Sequence, residues 1–571
     1  MLVKPHKFSL ENTSPIMLGP KGWSSLVSCV LVTVCISPAI VAPFLAKDAQ
    51  MPLNPHGGSI LQWKDCGEAN NHTLQCSRLD VPMDHFSQPS DKAFSIPIIR
   101  MLAKNASATG DRHIFLNPGG PGASGVGFLR GSASDLNKLI GEDFHLLSFD
   151  PRGVSGSMPK AVCYASNAER TAAFASNPWD LQFQAGEMYT KAENKANACK
   201  DMMGEYGRYI NTPQIAADMD LILDAIGQQK MFYWGLSYGT TLGQTYAQIF
   251  PERVSRMVLD GISDLDEWYN SFLFEEYLTD TDKIFTGFVE ECFKAGEACP
   301  LRSIKGEQSR SPSQLQSHIV SFLRELEEEP IPVYLNSTSY GAITRRSLVR
   351  NGILFALYKP STWPVFAHNL VELLNGNTTP AYNAYSESWV LKYLVDDSTT
   401  FIGLNDNRKS GKDSPVHGIK PVYNYVSSRP EMSFLVSRYQ GSDIYDRASW
   451  SIPTTHGFHP RCYPGSPRVK TAEPILILST TWDPVCPLIS AKKAQNSFEG
   501  ARLVQQISYG HCTLSMPSLC TVGHLRRYLN EGVLPEPEAT CGIDADYFPS
   551  ARGSAVSTLS VEEEDLLGSL H

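Results

Sequence analysis

At 571 residues the chain exceeds one small core, so it fits an enlarged catalytic domain or a core carrying a substantial insertion. With 42% hydrophobic and 19% charged residues it reads as globular rather than disordered. A formal net charge of −10 argues against a nucleic-acid partner, because such binders display a basic stripe.

In chain order, Lys4, Lys7 and Lys21 precede an apolar stretch over 23–46. That pattern predicts a secretory signal or signal-anchor over 1–46, close to the roughly 20 residues that span a bilayer. Ser24, Ser25, Ser28, Ser37 and Pro38 dilute it and no small-x-small cleavage site follows, so cleavage and retention both stay open. The basic residues lie on its N-terminal side, and either outcome puts the rest of the chain in the lumen or outside. Membrane contact is expected only through this segment, if it is uncleaved.

Short apolar runs at 95–102, 113–116, 144–149, 231–234 and 256–259, then at 474–478 and 503–507, alternate with helical patterns. This predicts an α/β fold with a mostly parallel sheet and crossover helices. Met219, Leu221, Ile222, Ala225 and Ile226 recur at helical spacing just before the 231–234 run, as a crossover helix would. The segment 60–84 reads as loop-rich and opens the first part of the core, 60–265. Between the run at 256–259 and that at 474–478, 266–470 carries helical patterns at 319–328 and 347–358 and few sheet-forming runs, which predicts a mainly helical cap over the sheet's C-terminal edge. The core resumes over 471–545. Residues 546–571, rich in serine and ending near Glu562-Glu563-Glu564-Asp565, read as a solvated, disordered acidic tail.

Two of the 13 cysteines, Cys29 and Cys35, lie in the leader, and no CxxC pair points to zinc. Disulfides suit the compartment better, and Cys66–Cys76, Cys163–Cys199, Cys292–Cys299 and Cys520–Cys541 are the candidate local pairs. Cys462, Cys486 and Cys512 remain, so at least one thiol is free. Cys486 and Cys512 stand near candidate catalytic residues and could share a disulfide or stay as separate thiols. Asn71, Asn105, Asn336 and Asn377 begin glycosylation sequons, to be used only if exposed.

The strongest chemical signal is Gly235-Leu236-Ser237-Tyr238-Gly239, between an apolar strand and a small-residue helical run. That strand–turn–helix context is a nucleophile elbow, with Ser237 as nucleophile; an inert serine in a glycine-rich turn is the plain alternative. A second loop, Asn117-Pro118-Gly119-Gly120-Pro121-Gly122-Ala123-Ser124-Gly125, also ends a strand. Acyl transfer needs preorganised N–H donors, and the amides of Tyr238 and Gly120 are the candidate oxyanion hole. The loop lacks the GK[ST] ending of a phosphate cradle. In this fold the order is serine, acid, histidine, and Asp483 and His511 follow the last two apolar runs. Asp260, ending the 256–259 run, is the rival acid. His456, His459 and His524 compete with His511 but do not follow a terminal core strand. Asp150 reads as structural, pairing with Arg152 or binding loop amides.

These stretches together resemble the tripeptidyl aminopeptidase-like branch of the proline iminopeptidase group. The resemblance runs through 117–125, 150–156, 218–220, 233–240, 250–254, 258–261 with Trp268, 474–483, 510–511 and 518–541, and covers about 60–545. It implies an α/β-hydrolase fold with an inserted cap, a triad on Ser237, Asp483 and His511, and neither metal nor other cofactor. It further implies release of short peptides or single residues from free N-termini through an acyl-enzyme. Acidic groups in the cap would hold the substrate's ammonium, and Glu275 and Glu276 are the counterparts in position. The chain departs from the family's threonine-containing form at Cys486, and 300–470 matches poorly. The same machinery could also serve an ester, lactone or amide of a specialised small molecule, and a non-enzymatic binding module is the third reading. The partner is thus a peptide or small-molecule substrate, with oligomeric state left open.

Overall fold

A ten-stranded sheet organises the protein, in the order β1-β2-β3-β5-β4-β6-β7-β12-β13-β14. Its strands are β1 (Lys64–Ala69), β2 (His72–Pro82), β3 (Ala93–Met101), β4 (His113–Asn117), β5 (His145–Phe149), β6 (Met231–Leu236), β7 (Val254–Asp260), β12 (Leu476–Trp482), β13 (Arg502–Tyr509) and β14 (Ala539–Cys541). The first three strands and β5 pair antiparallel in sequence, and every pairing from β5 to β14 is parallel. This computed structural model describes residues 61–69, 72–87, 91–104, 112–175, 184–386, 396–428, 433–435, 442–453, 455–461 and 467–549, with Leu566 and Ser569. The leader, Asn71, Asn105, Cys462 and nearly all of 550–571 lie outside them.

The seven apolar runs read from the sequence correspond to β3, β4, β5, β6, β7, β12 and β13. Strands β4 and β5 are buried at every position, which is why they read as unbroken apolar runs. The loop-rich reading of 60–84 is corrected, because β1 and β2 form a hairpin on the sheet edge. Strand β2, paired with β1 on one side and β3 on the other, is only half buried, and polar Thr73, Gln75, Ser77, Arg78 and Asp80 break up its apolar residues Leu74, Leu79 and Val81.

Crossover helices cover the sheet. The helix Gly125–Ile140 starts at Ser124, whose Oγ accepts from Gly127 N at 2.8 Å. The helix Thr212–Ala225 is capped by Asn211, whose side chain accepts from Gln214 N at 3.1 Å. It carries Asp218, fully buried against Arg152, with Arg152 Nη2 2.5 Å and Nε 2.8 Å from its two carboxylate oxygens. Arg152 therefore serves Asp218. Asp150 binds the amides of Val126 and Gly156, each at 3.0 Å, and the Ser124 hydroxyl at 2.6 Å.

Between β7 and β12 most described residues are helical, including Thr281–Ala295, Pro312–Glu328 and Trp363–Leu374. Two hairpins also lie there, β8 (Ser303–Ile304) with β9 (Glu307–Gln308), and β10 (Ile331–Asn336) with β11 (Ser339–Ile343). This segment builds its own apolar cluster around Phe285, Phe288, Leu323, Trp363 and Phe366. Tyr547 and Phe548 join it, with the Tyr547 ring stacked 4.8 Å from Trp363. The expectation of a disordered tail from 546 is therefore wrong for these residues: two adjacent aromatics have a hydrophobic surface to cover.

Four disulfides join Cys66–Cys76, Cys163–Cys199, Cys292–Cys299 and Cys520–Cys541, while Cys486 and Cys512 are free thiols. Such a set marks a chain that matures outside the reducing cytosol. Among the described residues no helix is long and apolar enough to cross a membrane.

Candidate active site

The register of the central strands brings their carboxyl ends together. Asn117 of β4 lies opposite Gly235 of β6, Leu236 opposite Asp260 of β7, and Asp260 opposite Leu478 of β12. The loops that follow open on one edge, where open α/β sheets place their sites.

At the end of β6 the chain turns through Ser237, with φ 57° and ψ −123°, directly into the helix Tyr238–Ile249. A non-glycine residue in that region is strained and persists only where its surroundings hold it. Here Ser237 N donates to the Asp260 carbonyl at 3.0 Å, and Ser237 O accepts from Thr240 N at 2.7 Å. The turn has no room for side chains beside it. A Cβ on Gly239 would fall 2.8 Å from the Asn117 carbonyl oxygen.

The loop after β4 presses on this turn. Gly119 adopts φ +90°, and a Cβ there would lie 2.4 Å from Leu236 O, 2.9 Å from Ser237 Cβ and 3.0 Å from Tyr238 N. Its own N–H is engaged by Asn117 Oδ1 at 2.9 Å. The N–H of Gly120 is thus the loop's candidate donor, next to a glycine packed on the Tyr238 amide. The buried Tyr238 side chain is held by Thr212, with its hydroxyl 2.6 Å from Thr212 Oγ1, and by the Trp268 ring 5.4 Å away.

His511 Nδ1 lies 3.0 and 2.9 Å from the two carboxylate oxygens of the buried Asp483. Asp483 also accepts from Val485 N at 2.9 Å, Cys486 N at 2.8 Å and Cys512 N at 3.0 Å, so the loops after β12 and β13 close around one carboxylate. Asp260, the rival acid, faces elsewhere: it accepts from Thr513 N at 2.8 Å and Thr513 Oγ1 at 2.6 Å. Burial pushes its carboxyl up to about 6. Of the competing histidines, His456 holds Asp84 at 2.9 Å.

Both free thiols border this centre. Cys486 gives its backbone N–H to Asp483 at 2.8 Å, and Cys512 Sγ donates to the Asp260 carbonyl at 3.4 Å. Burial drives both thiols well above their ordinary range, so they stand as neutral thiols. Asp483, Cys486 and His511 bring three potential metal-ligating atoms within 4.8 Å of one another. Asp483 and His511 are already engaged with each other there.

Some contributors carried no signal in the sequence. The Tyr358 carbonyl accepts from His511 N at 2.8 Å, and its ring meets the imidazole edge-on at 4.9 Å. Glu267 accepts from Glu276 N at 2.7 Å, and burial lifts its carboxyl to about 7. Glu276, proposed as an ammonium partner, is instead taken by Lys493 and by Ser490 Oγ at 2.7 Å.

The alpha/beta hydrolase fold family matches residues 112–298, and the TAP-like protein family matches residues 446–541. A tripeptidyl aminopeptidase of Streptomyces lividans is 32% identical over 517 residues, covering 86% of this chain and 88% of its own. The serine protease Hip1 of Mycobacterium tuberculosis is 27% identical over 549 residues, covering 91% of this chain and 97% of its own. Among solved structures, a hydrolase from Pseudomonas aeruginosa PA01 matches at 12% identity with a TM-score of 0.27, covering 78% of this chain and 92% of its own.

Proposed function

Because the chain belongs to the tripeptidyl aminopeptidase family of α/β-hydrolase-fold serine peptidases, we propose that it removes short peptides or single residues from free peptide N-termini, with Ser237, Asp483 and His511 as its triad. The observation that carries this reading is the clasp of His511 Nδ1 by Asp483 beside the strained Ser237 turn. With Nδ1–H fixed on the carboxylate, Nε2 is the nitrogen left to take the Ser237 proton. Ser237 Oγ then attacks the scissile carbonyl carbon. The oxyanion is received by the amides of Tyr238 and Gly120, whose rigid backbone needs no rearrangement as charge develops. His511 returns the proton to the leaving amine, and water attacks the acyl-enzyme by the same route in reverse.

The segment 266–470 serves as the cap that selects substrates, inserted between 60–265 and 471–545. Support comes from its separate apolar cluster and from Tyr358, which reaches His511. Residues 1–46 act as a signal or signal-anchor, giving a secreted chain or one held by a single N-terminal segment.

The test is hydrolysis of peptidyl chromogenic substrates with free and blocked N-termini by the native chain and Ser237→Ala. The expected result is turnover of free N-termini alone, lost in the alanine variant. Equal activity in that variant would overturn the nucleophile, and ester turnover without peptide turnover would overturn the substrate class.

A further inference from the structure

The hairpin of β10 and β11 carries features that peptide hydrolysis does not use. Its inner face holds Val333 and Ile343, both buried in the apolar cluster around Phe285 and Trp363. Strand alternation therefore turns Tyr334 outward, opposite Tyr340 in the register, and the two are 74% and 66% exposed. Their rings lie 6.5 Å apart with planes tilted by 30°, an exposed aromatic pair that serves as a platform in water.

Two residues beyond Tyr334, past an irregularity in the hairpin register, the exposed Asn336 opens the sequon Asn336-Ser337-Thr338. Its Oδ1 accepts from Thr338 N at 2.9 Å and from Thr338 Oγ1 at 2.8 Å. This turn ties the sequon hydroxyl to the carboxamide oxygen and leaves Nδ2 without a hydrogen bond among the described residues. Asn377 is built differently. Its Nδ2 donates to Glu372 Oε2 at 2.7 Å, and its sequon runs into Pro380 in the first turn of the helix Thr379–Tyr385.

We propose that Asn336 is N-glycosylated and that the first sugar of its glycan rests on the Tyr334–Tyr340 platform. In the transfer, Asn336 Nδ2 attacks the anomeric carbon of a lipid-pyrophosphate-linked oligosaccharide. The N–C bond forms, the carbon–oxygen bond to phosphate breaks, the lipid pyrophosphate leaves with its electron pair, and the carboxamide releases one proton to the transferase. The C–H face of an aminohexose then covers the rings, an apolar surface the hairpin otherwise leaves wet. The four disulfides agree with passage through a compartment where such donors are used.

The test is to secrete the full chain from an N-glycosylating eukaryotic host, with mass spectrometry of each sequon after peptide N-glycosidase release in heavy-oxygen water. Asn336 is expected to be occupied in most molecules and Asn377 to be empty. Asn336→Gln is expected to lower the Tm by roughly 1–2 °C in the native chain and to leave it unchanged in a Tyr334→Ala/Tyr340→Ala background. Peptidase activity, read in parallel, is expected to be equal in Asn336→Gln, which separates this outcome from the test of Ser237. An empty Asn336, or Asn377 filled in preference to it, overturns the modification. An equal Tm loss with and without the tyrosines overturns the platform.

Discussion

Ser237 gives its backbone N–H to the carbonyl oxygen of Asp260 at 3.0 Å, and this bond holds the strained turn from the neighbouring strand. The side chain of the same aspartate grips Thr513 in the loop that carries His511. Asp260 thus braces the Ser237 turn and the loop that carries His511, while Asp483 holds the imidazole. Asp483→Asn should therefore lower kcat on the order of 10⁴-fold by presenting the wrong tautomer. Asp260→Asn, which keeps an acceptor for Thr513, should cause a far smaller loss. Steady-state kinetics of the two variants decides this, and a larger effect at Asp260 would reverse the assignment.

Gly119→Ala tests the oxyanion loop. Its new Cβ would collide with Leu236 O at 2.4 Å and crowd Tyr238 N at 3.0 Å, at a φ of +90° that already disfavours a side chain. The loop must retreat, carrying the Gly120 amide with it. The expected fall in kcat is about 10²–10³-fold, with Ser237 still present to react with an active-site phosphonylating reagent, though slowly. Unchanged kcat would show that the loop donates nothing.

Glu267 should leave its mark on pH-dependent stability. Burial raises its carboxyl to about 7, above the value of about 4.3 expected in the unfolded chain. A raised carboxyl supports the fold while protonated, fully below about pH 4, and that support fades as pH rises through about 7. Glu267→Gln keeps the acceptor for Glu276 N and cannot ionise. Its Tm should match the native chain near pH 4 and exceed it near pH 8. Thermal melts across that range check the sign.

The disulfides should rank by the loops they close. Cys163–Cys199 spans 36 residues and Cys292–Cys299 spans 7. Chain entropy then gives about 4 kcal/mol for the first and about 2 kcal/mol for the second. Paired alanine replacements compared by guanidinium unfolding should preserve that order, and an inverted order would point to lost native packing instead.

The central sheet was legible because its strands are buried on both faces and read as apolar runs, as at His113–Asn117 and His145–Phe149. Ser237, Asp483 and His511 could be picked out because each follows such a run. The four disulfide pairs were legible as local spacings. Strand β2 escaped because it is only half buried and its polar residues, such as Gln75, Arg78 and Asp80, interrupt the apolar ones. Tyr358, Thr513 and Glu267 escaped for another reason: their roles arise from contacts between distant segments, which no local pattern encodes. Glu276 looked available for a substrate's ammonium until folding brought Lys493 and Ser490 to it.

The contact between the Tyr358 carbonyl and the His511 backbone limits how far this enzyme can be treated as a set of exchangeable parts. Trimming away the inserted segment to obtain a minimal hydrolase would take with it an acceptor for the histidine's own amide and the ring against its edge. It would also strand Tyr547 and Phe548, which lie past the last strand and pack on Trp363. Exchange of this segment between relatives to change substrate preference would need to carry Tyr358, Trp363 and the 547–548 pair together as one graft.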